Sequence, residues 1–430
     1  MRIVSISAAL IFACGFAAFT QEPAPPWRTG VISPRIASLE KQVASGDKSA
    51  EARFWSDIKT NGSPLVEPVP GDSGHVLVTF LFKADKPLTG VLLDAQLAVT
   101  REDPPNALTH LANTNVWYKT YSMRNDMRFS YSLKPAPGDD SRDAGVDPLN
   151  PKTLPAGINI GRSMLELPAA PQQRGIVRGA SVPAGKIAEE QVDSKILNTQ
   201  RKAWVYTPAG YDARRAAAYP VMICFDGTIY GADDAVAVPA ILDNLIAAGE
   251  IAPMIAIFVA QSAQPQRNIE LSNNAQFADF IAQELLPQLR RKWLITNNPA
   301  ETVACGSSAG GLAALFLAFH RPDVVGNVLA QSAALWPGAQ RDNPEHEWLT
   351  RQFESSKRLR IRIVLQPGML EVVQTPLAGP SILRSNRHLR DVLTAKGYEV
   401  HYSEVAGGHE PLAWRGGIAP GLIQLLGRNH

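Results

Sequence analysis

Apolar and polar positions change their period twice along this chain. Ile36, Leu39 and Val43, then Phe54 and Ile58, recur at helical spacing with a break at Gly46, which predicts two short helices. Together with a proline-rich stretch they form a lead-in over residues 21–65. From Val66 to about Leu133 the period shortens. Val76-Leu-Val-Thr-Phe-Leu-Phe, Gly90-Val-Leu-Leu-Asp and Asp126-Met-Arg-Phe-Ser-Tyr-Ser-Leu read as strands separated by turn residues. That pattern predicts a small β-sandwich of immunoglobulin-like type over residues 66–167. Asn115-Val-Trp-Tyr-Lys-Thr-Tyr reads as sandwich core, with a ligand platform as the alternative. Pro135 to Pro155 reads as loop.

The pattern changes again near residues 168–185. Lys202-Ala-Trp-Val-Tyr-Thr, Pro220-Val-Met-Ile-Cys-Phe, Pro253-Met-Ile-Ala-Ile-Phe-Val, Thr302-Val-Ala-Cys and Arg360-Ile-Arg-Ile-Val-Leu are apolar strand candidates. Between them Val238–Ala248, Ala275–Trp293 and Leu312–His320 carry helical patterns. Val- and Ile-rich strands alternating with helices predict a doubly wound, mostly parallel sheet over residues 168–430. In such a sheet the active site gathers beyond the carboxyl ends of the strands.

That location gives weight to one stretch. Val303-Ala304-Cys305 reads as a buried strand and Leu312 to Phe319 as a buried helix, and Gly306-Ser307-Ser308-Ala309-Gly310 lies between them. This is a G-x-S-x-G pattern in the strand–turn–helix context it requires. Small neighbours let the backbone bend sharply, so that Ser308 Oγ stands clear as a nucleophile. The Ala309 amide then faces a developing oxyanion. Among eight histidines, His409 alone follows a strand directly, on a flexible loop after Gly407-Gly408, which suits a general base. Glu371, beyond the strand that ends near Leu365, is the candidate to orient it. Glu410 is the rival, but its adjacency to His409 places it poorly. The order Ser308, Glu371, His409 is that of an α/β-hydrolase. Phe225-Asp226-Gly227-Thr228 ends an early strand, and Gly227 and Thr228 are candidates for the second oxyanion donor, with Asp226 fixing the loop.

Composition narrows the setting. The chain has 430 residues, 45% hydrophobic and 19% charged, with a net charge of +2. Two domains are the default for this length, and near-neutral charge argues against nucleic acid as a partner. Arg2 followed by the apolar run Ile6–Phe19 reads as a signal peptide over residues 1–20, cleaved after Ala18-Phe-Thr20. The mature protein is then expected to be periplasmic or secreted. Lipid anchoring at Cys14 is less favoured because Phe12 fits a lipobox badly. No later segment reaches transmembrane length, so no stable membrane span is expected. Cys224 and Cys305 are expected to be buried thiols. Neither HExxH nor CxxC occurs, so no metal or other cofactor is expected.

Gly407-Gly-His-Glu-Pro-Leu-Ala-Trp-Arg-Gly-Gly-Ile418 resembles the C-terminal signature of enterochelin (ferric enterobactin) esterases. The resemblance extends to Gly306–Leu315, Gln331-Ser332, Trp336-Pro337, Gly368-Met-Leu-Glu371 and Arg267-Asn-Ile-Glu-Leu271. In the β region it includes Asn115-Val-Trp-Tyr and Asp147-Pro-Leu-Asn-Pro. It implies hydrolysis of ester bonds in a catecholate trilactone siderophore, with Ser308 attacking the lactone carbonyl, His409 as base then acid, and Glu371 orienting it. A ferric tris-catecholate is a trianion, for which a cationic and aromatic pocket is expected. Arg267, Arg384, Arg387, Trp414 and Arg415 are the candidates to line it, with a structural Arg267–Glu270 pair as the alternative for Arg267. Ser307 and Ala309 stand where the family usually carries Gln and Phe, and Glu410 where it usually carries Asp. An export signal is also unusual for two-domain members. A carbohydrate esterase of feruloyl or acetyl-xylan type, and a non-catalytic siderophore- or glycan-binding protein, are the competing readings.

Overall fold

The computed structural model describes residues 22–98, 106–136, 145–154, 161–337, 345–374 and 379–427. The expected signal segment and residues 137–144 of the Pro135–Pro155 stretch lie outside them.

The lead-in forms the helices Pro34–Ala44 and Ala50–Asn61. The first begins at Ser33, whose hydroxyl accepts the Ile36 N–H, followed by Pro34, which loses nothing at a position with no helical partner for its nitrogen. Ile36, Leu39, Phe54, Trp55 and Ile58 bury against Leu65, Leu81 and Val116. These last residues belong to an antiparallel sheet of Trp27–Arg28, Val116–Arg124, Asp72–Lys83 and Leu65–Val69, in that order, with Thr109–His110 added against Val116–Arg124. A second antiparallel sheet orders Asn106–Ala107, Val91–Asp94, Arg128–Pro135 and Ser163–Glu166. The two share one core, with Val78, Phe80 and Tyr121 from the first meeting Val91, Phe129 and Tyr131 from the second. Phe80 and Tyr131 meet edge to face at 4.9 Å. Trp117 and Tyr121 are buried strand residues, so the aromatic cluster is core.

The catalytic half is built on eight strands in the order Lys186–Ser194, Thr199–Thr207, Ile255–Val259, Val221–Cys224, Thr302–Ser307, Asn327–Gln331, Arg362–Gln366, Glu399–Tyr402. The first two pair antiparallel at one edge, and every pairing from Ile255–Val259 onward is parallel. Two of these strands were not anticipated. Lys186–Ser194 is an edge strand whose exposed side carries charge, including Glu189 and Asp193, so its apolar content is low. Asn327–Gln331 is fully buried but only five residues long and polar at both ends. The helix expected over Ala275–Trp293 is divided into Ala275–Asp279, a wider π-helical turn at Phe280–Leu285, and Leu286–Arg290. Pro287 is the physical cause, because it lacks the N–H that would continue an uninterrupted ladder.

Cys224 and Cys305 are in register on neighbouring parallel strands, buried and unbridged. Burial pushes the Cys305 thiol well above its usual range, which keeps it protonated and unreactive. The N-terminal core does not stop at the boundary between halves. Leu370 and Val372, which flank Glu371 in sequence, and Leu383, whose N–H donates to Glu371 O at 3.1 Å, pack into it.

Candidate active site

The strand Thr302–Ser307 passes into the helix Ala309–His320 through Ser308 alone, held at φ 56° and ψ −123°. Few side chains tolerate that backbone, and the cost is about 1–3 kcal/mol. Three hydrogen bonds impose it: the Ser308 N–H donates to Gln331 O at 3.0 Å, and Ser308 O accepts from Leu312 at 3.1 Å and Ala334 at 3.0 Å. The two motif glycines are needed for contact rather than for unusual dihedrals. A Cβ on Gly306 would lie 2.5 Å from the Gly310 carbonyl carbon, and one on Gly310 would lie 3.3 Å from Phe225 Cβ and from an Asp226 carboxylate oxygen. The Ser308 hydroxyl makes no capping bond to its helix, so its side chain is not spent there. Ser307 points the other way. It is buried, and its hydroxyl bonds the fully buried Tyr230.

Glu371 sits in the loop after Arg362–Gln366, with its carboxylate enclosed. Gly368 N–H donates to its Oε2 at 2.7 Å, and Oε1 lies 2.6 Å from His409 Nδ1. The imidazole is one-third exposed, whereas the carboxylate is 2% exposed. Such a bond selects the tautomer with hydrogen on Nδ1 and leaves Nε2 as the basic nitrogen. Glu410 is committed elsewhere. It accepts from the Ser130 N–H at 2.8 Å and from the Ser130 hydroxyl. Burial pushes its carboxyl above the usual range. Trp414 links the two sides of the site. Its ring stands edge-on to His409 at 5.3 Å, and its Nε1–H donates to Ser332 Oγ at 2.9 Å.

On the other side, Asp226 takes a left-handed conformation (φ 52°) and Gly227 opens a single helical turn. The glycine is required because a Cβ there would lie 2.5 Å from the Phe258 carbonyl carbon, not because its amide must rotate. Thr228 is exposed, and its hydroxyl accepts from Gln261 Nε2. Arg267 grips both Asp226 oxygens, at 2.6 and 2.5 Å. It therefore pairs with Asp226 and not with Glu270, which is bound by Arg201. Losing its bond to Asp226 would cost the Arg267 cation, so its pKa is raised.

The five proposed pocket residues each have partners of their own within the chain. Arg267 lies beneath the Gly227 loop and Trp414 lies against His409. Arg384 pairs with Glu22 at 3.2 Å, and Arg387 is bidentate to Glu404 at 2.7 and 2.8 Å, so both cations serve ion pairs within the chain. Arg415 donates to the neutral Gln173 at 2.6 Å, and burial lowers its pKa.

A buried polar network below the site was not foreseen. Gln331 Nε2 donates to Gln366 Oε1 (2.9 Å) and Trp414 O (2.7 Å), its Oε1 accepts from Tyr230, and Gln366 donates to Gly417 O at 3.0 Å. A signal for it does exist, since each glutamine is a buried polar residue that closes a strand with an apolar centre. Among the described residues no cluster of His, Cys, Asp and Glu is arranged to hold a metal ion.

Comparison with known proteins puts a family on this geometry. The family described as "Putative esterase" matches residues 194–425, and "Enterochelin esterase, N-terminal" matches residues 77–176. The iron(III) enterobactin esterase of Dickeya dadantii is 30% identical over 89% of this chain and 95% of its own. The chain belongs to the enterochelin esterase family. It is accordingly a carboxylic ester hydrolase with an α/β-hydrolase-like esterase domain. The iron(III) salmochelin esterase of Escherichia coli O6:H1 is 27% identical over 91% of this chain and 98% of its own. Among solved structures, the enterobactin esterase of Shigella flexneri, crystallised in the presence of enterobactin, matches with a TM-score of 0.67 and 27% identity. That match covers 85% of this chain and 95% of the other. The ferric enterobactin esterase of Salmonella typhimurium matches at 0.69 and 26%, over 84% and 96%.

Proposed function

We propose that this enterochelin esterase family member is an exported serine esterase that opens the ester bonds of an enterobactin-like catecholate trilactone through Ser308, His409 and Glu371. Two observations carry the reading together: the 2.6 Å bond from His409 Nδ1 to an enclosed Glu371, and a serine held on a strained strand-to-helix turn. Relatives named for enterobactin and salmochelin support the substrate class.

The chemistry follows from these groups. Ser308 Oγ attacks the ester carbonyl carbon while His409 Nε2 takes the hydroxyl proton, and Glu371 stabilises the imidazolium through Nδ1–H. The carbonyl electron pair moves onto oxygen, which accepts bonds from the Ala309 amide and from an amide of Gly227 or Thr228. One such donor is worth roughly 2.7–4 kcal/mol of transition-state stabilisation. The intermediate collapses by breaking the bond to the seryl oxygen of the substrate, which takes the proton from His409. Water then repeats the sequence on the acyl-enzyme and releases the acid. An iron ion enters this scheme only as cargo of the substrate.

We read the two N-terminal sheets as a small sandwich of immunoglobulin-like type. Export rests on the apolar run after Arg2. Fractionation with N-terminal sequencing tests it, and a mature chain starting at Met1 in the cytoplasm would exclude it. Among the described residues no helix is long and apolar enough to cross a membrane.

For the activity, the protein is incubated with ferric and apo enterobactin and with a feruloyl-sugar ester, and products are read by mass spectrometry. Linear and monomeric dihydroxybenzoyl-serine are expected. Turnover of the sugar ester alone would reject the siderophore reading. Ser308→Ala should abolish both turnover and labelling by a fluorophosphonate.

A further inference from the structure

The loop that carries His409 is held from outside its own domain. Gln96 follows the strand Val91–Asp94 in the N-terminal half, and its Oε1 accepts the His409 backbone N–H at 2.5 Å. The same side chain fills the space beside Gly408, where a Cβ would come within 2.5 Å of Oε1 and 2.9 Å of Nε2. Neighbouring bonds tie the flanks of the loop to the strand Arg128–Pro135. The Arg128 N–H donates to Ala406 O at 2.9 Å, and the Ser130 amide donates to Glu410 at 2.8 Å. Gly407 passes so close that a Cβ would lie 2.8 Å from Arg128 O. Residues on both sides of the histidine are therefore fastened to the N-terminal half, and among the described residues only the Gln96 bond reaches the histidine's own backbone.

We propose that Gln96 is a positioning residue for His409, which makes the N-terminal half part of the catalytic apparatus. This rests on the reading of His409 as the base for Ser308. The side chain of a base on a loop is only as well aimed as its backbone. Glu371 fixes the ring through Nδ1, but one bond leaves the imidazole free to pivot about it. The Gln96 bond supplies a second fixed point on the main chain, so that Nε2 keeps its direction toward Ser308. Displacement of a catalytic group by about 1 Å can cost on the order of 100-fold in rate.

The test uses the full-length enzyme and a p-nitrophenyl ester, with Ser308→Ala as control. Gln96→Met keeps the volume and removes the acceptor. It should lower kcat about 10- to 100-fold with KM within twofold and an unchanged circular dichroism spectrum. Wild-type kcat, or a raised KM at unchanged kcat, would overturn the proposal; the second result would place Gln96 against substrate. Gln96→Glu keeps an acceptor and adds a negative charge near an imidazole that already faces Glu371. It should recover most of kcat and move the acid limb of the kcat/KM profile to higher pH. An unmoved limb counts against the proposal, and this arm decides alone if Gln96→Met does not fold. Turnover surviving in Ser308→Ala would reject the serine mechanism itself, an outcome distinct from failure of the Gln96 variants.

Discussion

Glu371 shows how much a single side chain is asked to do. One oxygen is held by Gly368 N–H and the other meets His409 Nδ1, with the carboxylate almost wholly enclosed. In Glu371→Gln the amide oxygen can keep the Gly368 bond, which turns the NH2 group toward the imidazole. Nδ1 must then accept rather than donate, and the proton moves to Nε2, where a base is needed. The expected result is a fall in kcat of about 10³–10⁴-fold with a folded protein, measured by steady-state kinetics beside a thermal melt. A loss under tenfold would mean that Glu371 does not set the tautomer. The proposed triad residues stood out in the sequence because each follows a strand or stands between glycines. Their partners did not. Asp226 as the mate of Arg267, and Glu22 and Glu404 as mates of Arg384 and Arg387, lie 41, 362 and 17 residues away. Such pairings exist only once the chain is folded.

At the scale of elements, the turn at Ser308 depends on the crossing of strand and helix. Gly306 and Gly310 are in contact, and no methyl group fits between them. Gly306→Ala should force the helix Ala309–His320 off the strand end. The expected cost is about 1–3 kcal/mol from overpacking, with at least a tenfold loss of turnover as the Ala309 amide, the proposed oxyanion donor, shifts. Calorimetry and an ester assay check this, and normal turnover would show that the turn closes by another route. The same crossing explains which elements were legible. Val221–Cys224, Ile255–Val259 and Thr302–Ser307 are buried on both faces, so the first two read as unbroken apolar runs and the third as Val303-Ala-Cys before its glycine turn. Lys186–Ser194 has one wet face, and Asn327–Gln331 owes its strand to the neighbours on either side of it.

Across the whole molecule, the two halves are joined at the histidine loop. Glu410 is buried there against Ser130, with the Arg162 cation nearby. Its folded pKa is raised, so the folded state binds its proton more tightly than the unfolded state does. The associated stability is fully present below the unfolded value of about 4.3 and is lost as pH rises through the folded value. Glu410→Gln carries no such term. The difference in Tm, wild type minus variant, should therefore shrink as pH is raised from 4 across that window. A difference that grows with pH would reverse the assignment. Because this contact connects Arg128–Pro135 to residues 406–410, loosening it should also lower turnover.

Period and spacing along the chain were enough to predict a doubly wound α/β half after a β-rich half, and to nominate a serine, an acid and a histidine in hydrolase order. Local physics decides those features: buried strands need continuous apolar residues, and a nucleophile turn needs small neighbours. The tertiary structure alone decided which arginines are spent on ion pairs, where Glu410 is committed, and that Gln96 reaches the histidine from the far half. These are contacts between residues distant in sequence, formed by packing two cores together, and no local pattern records them.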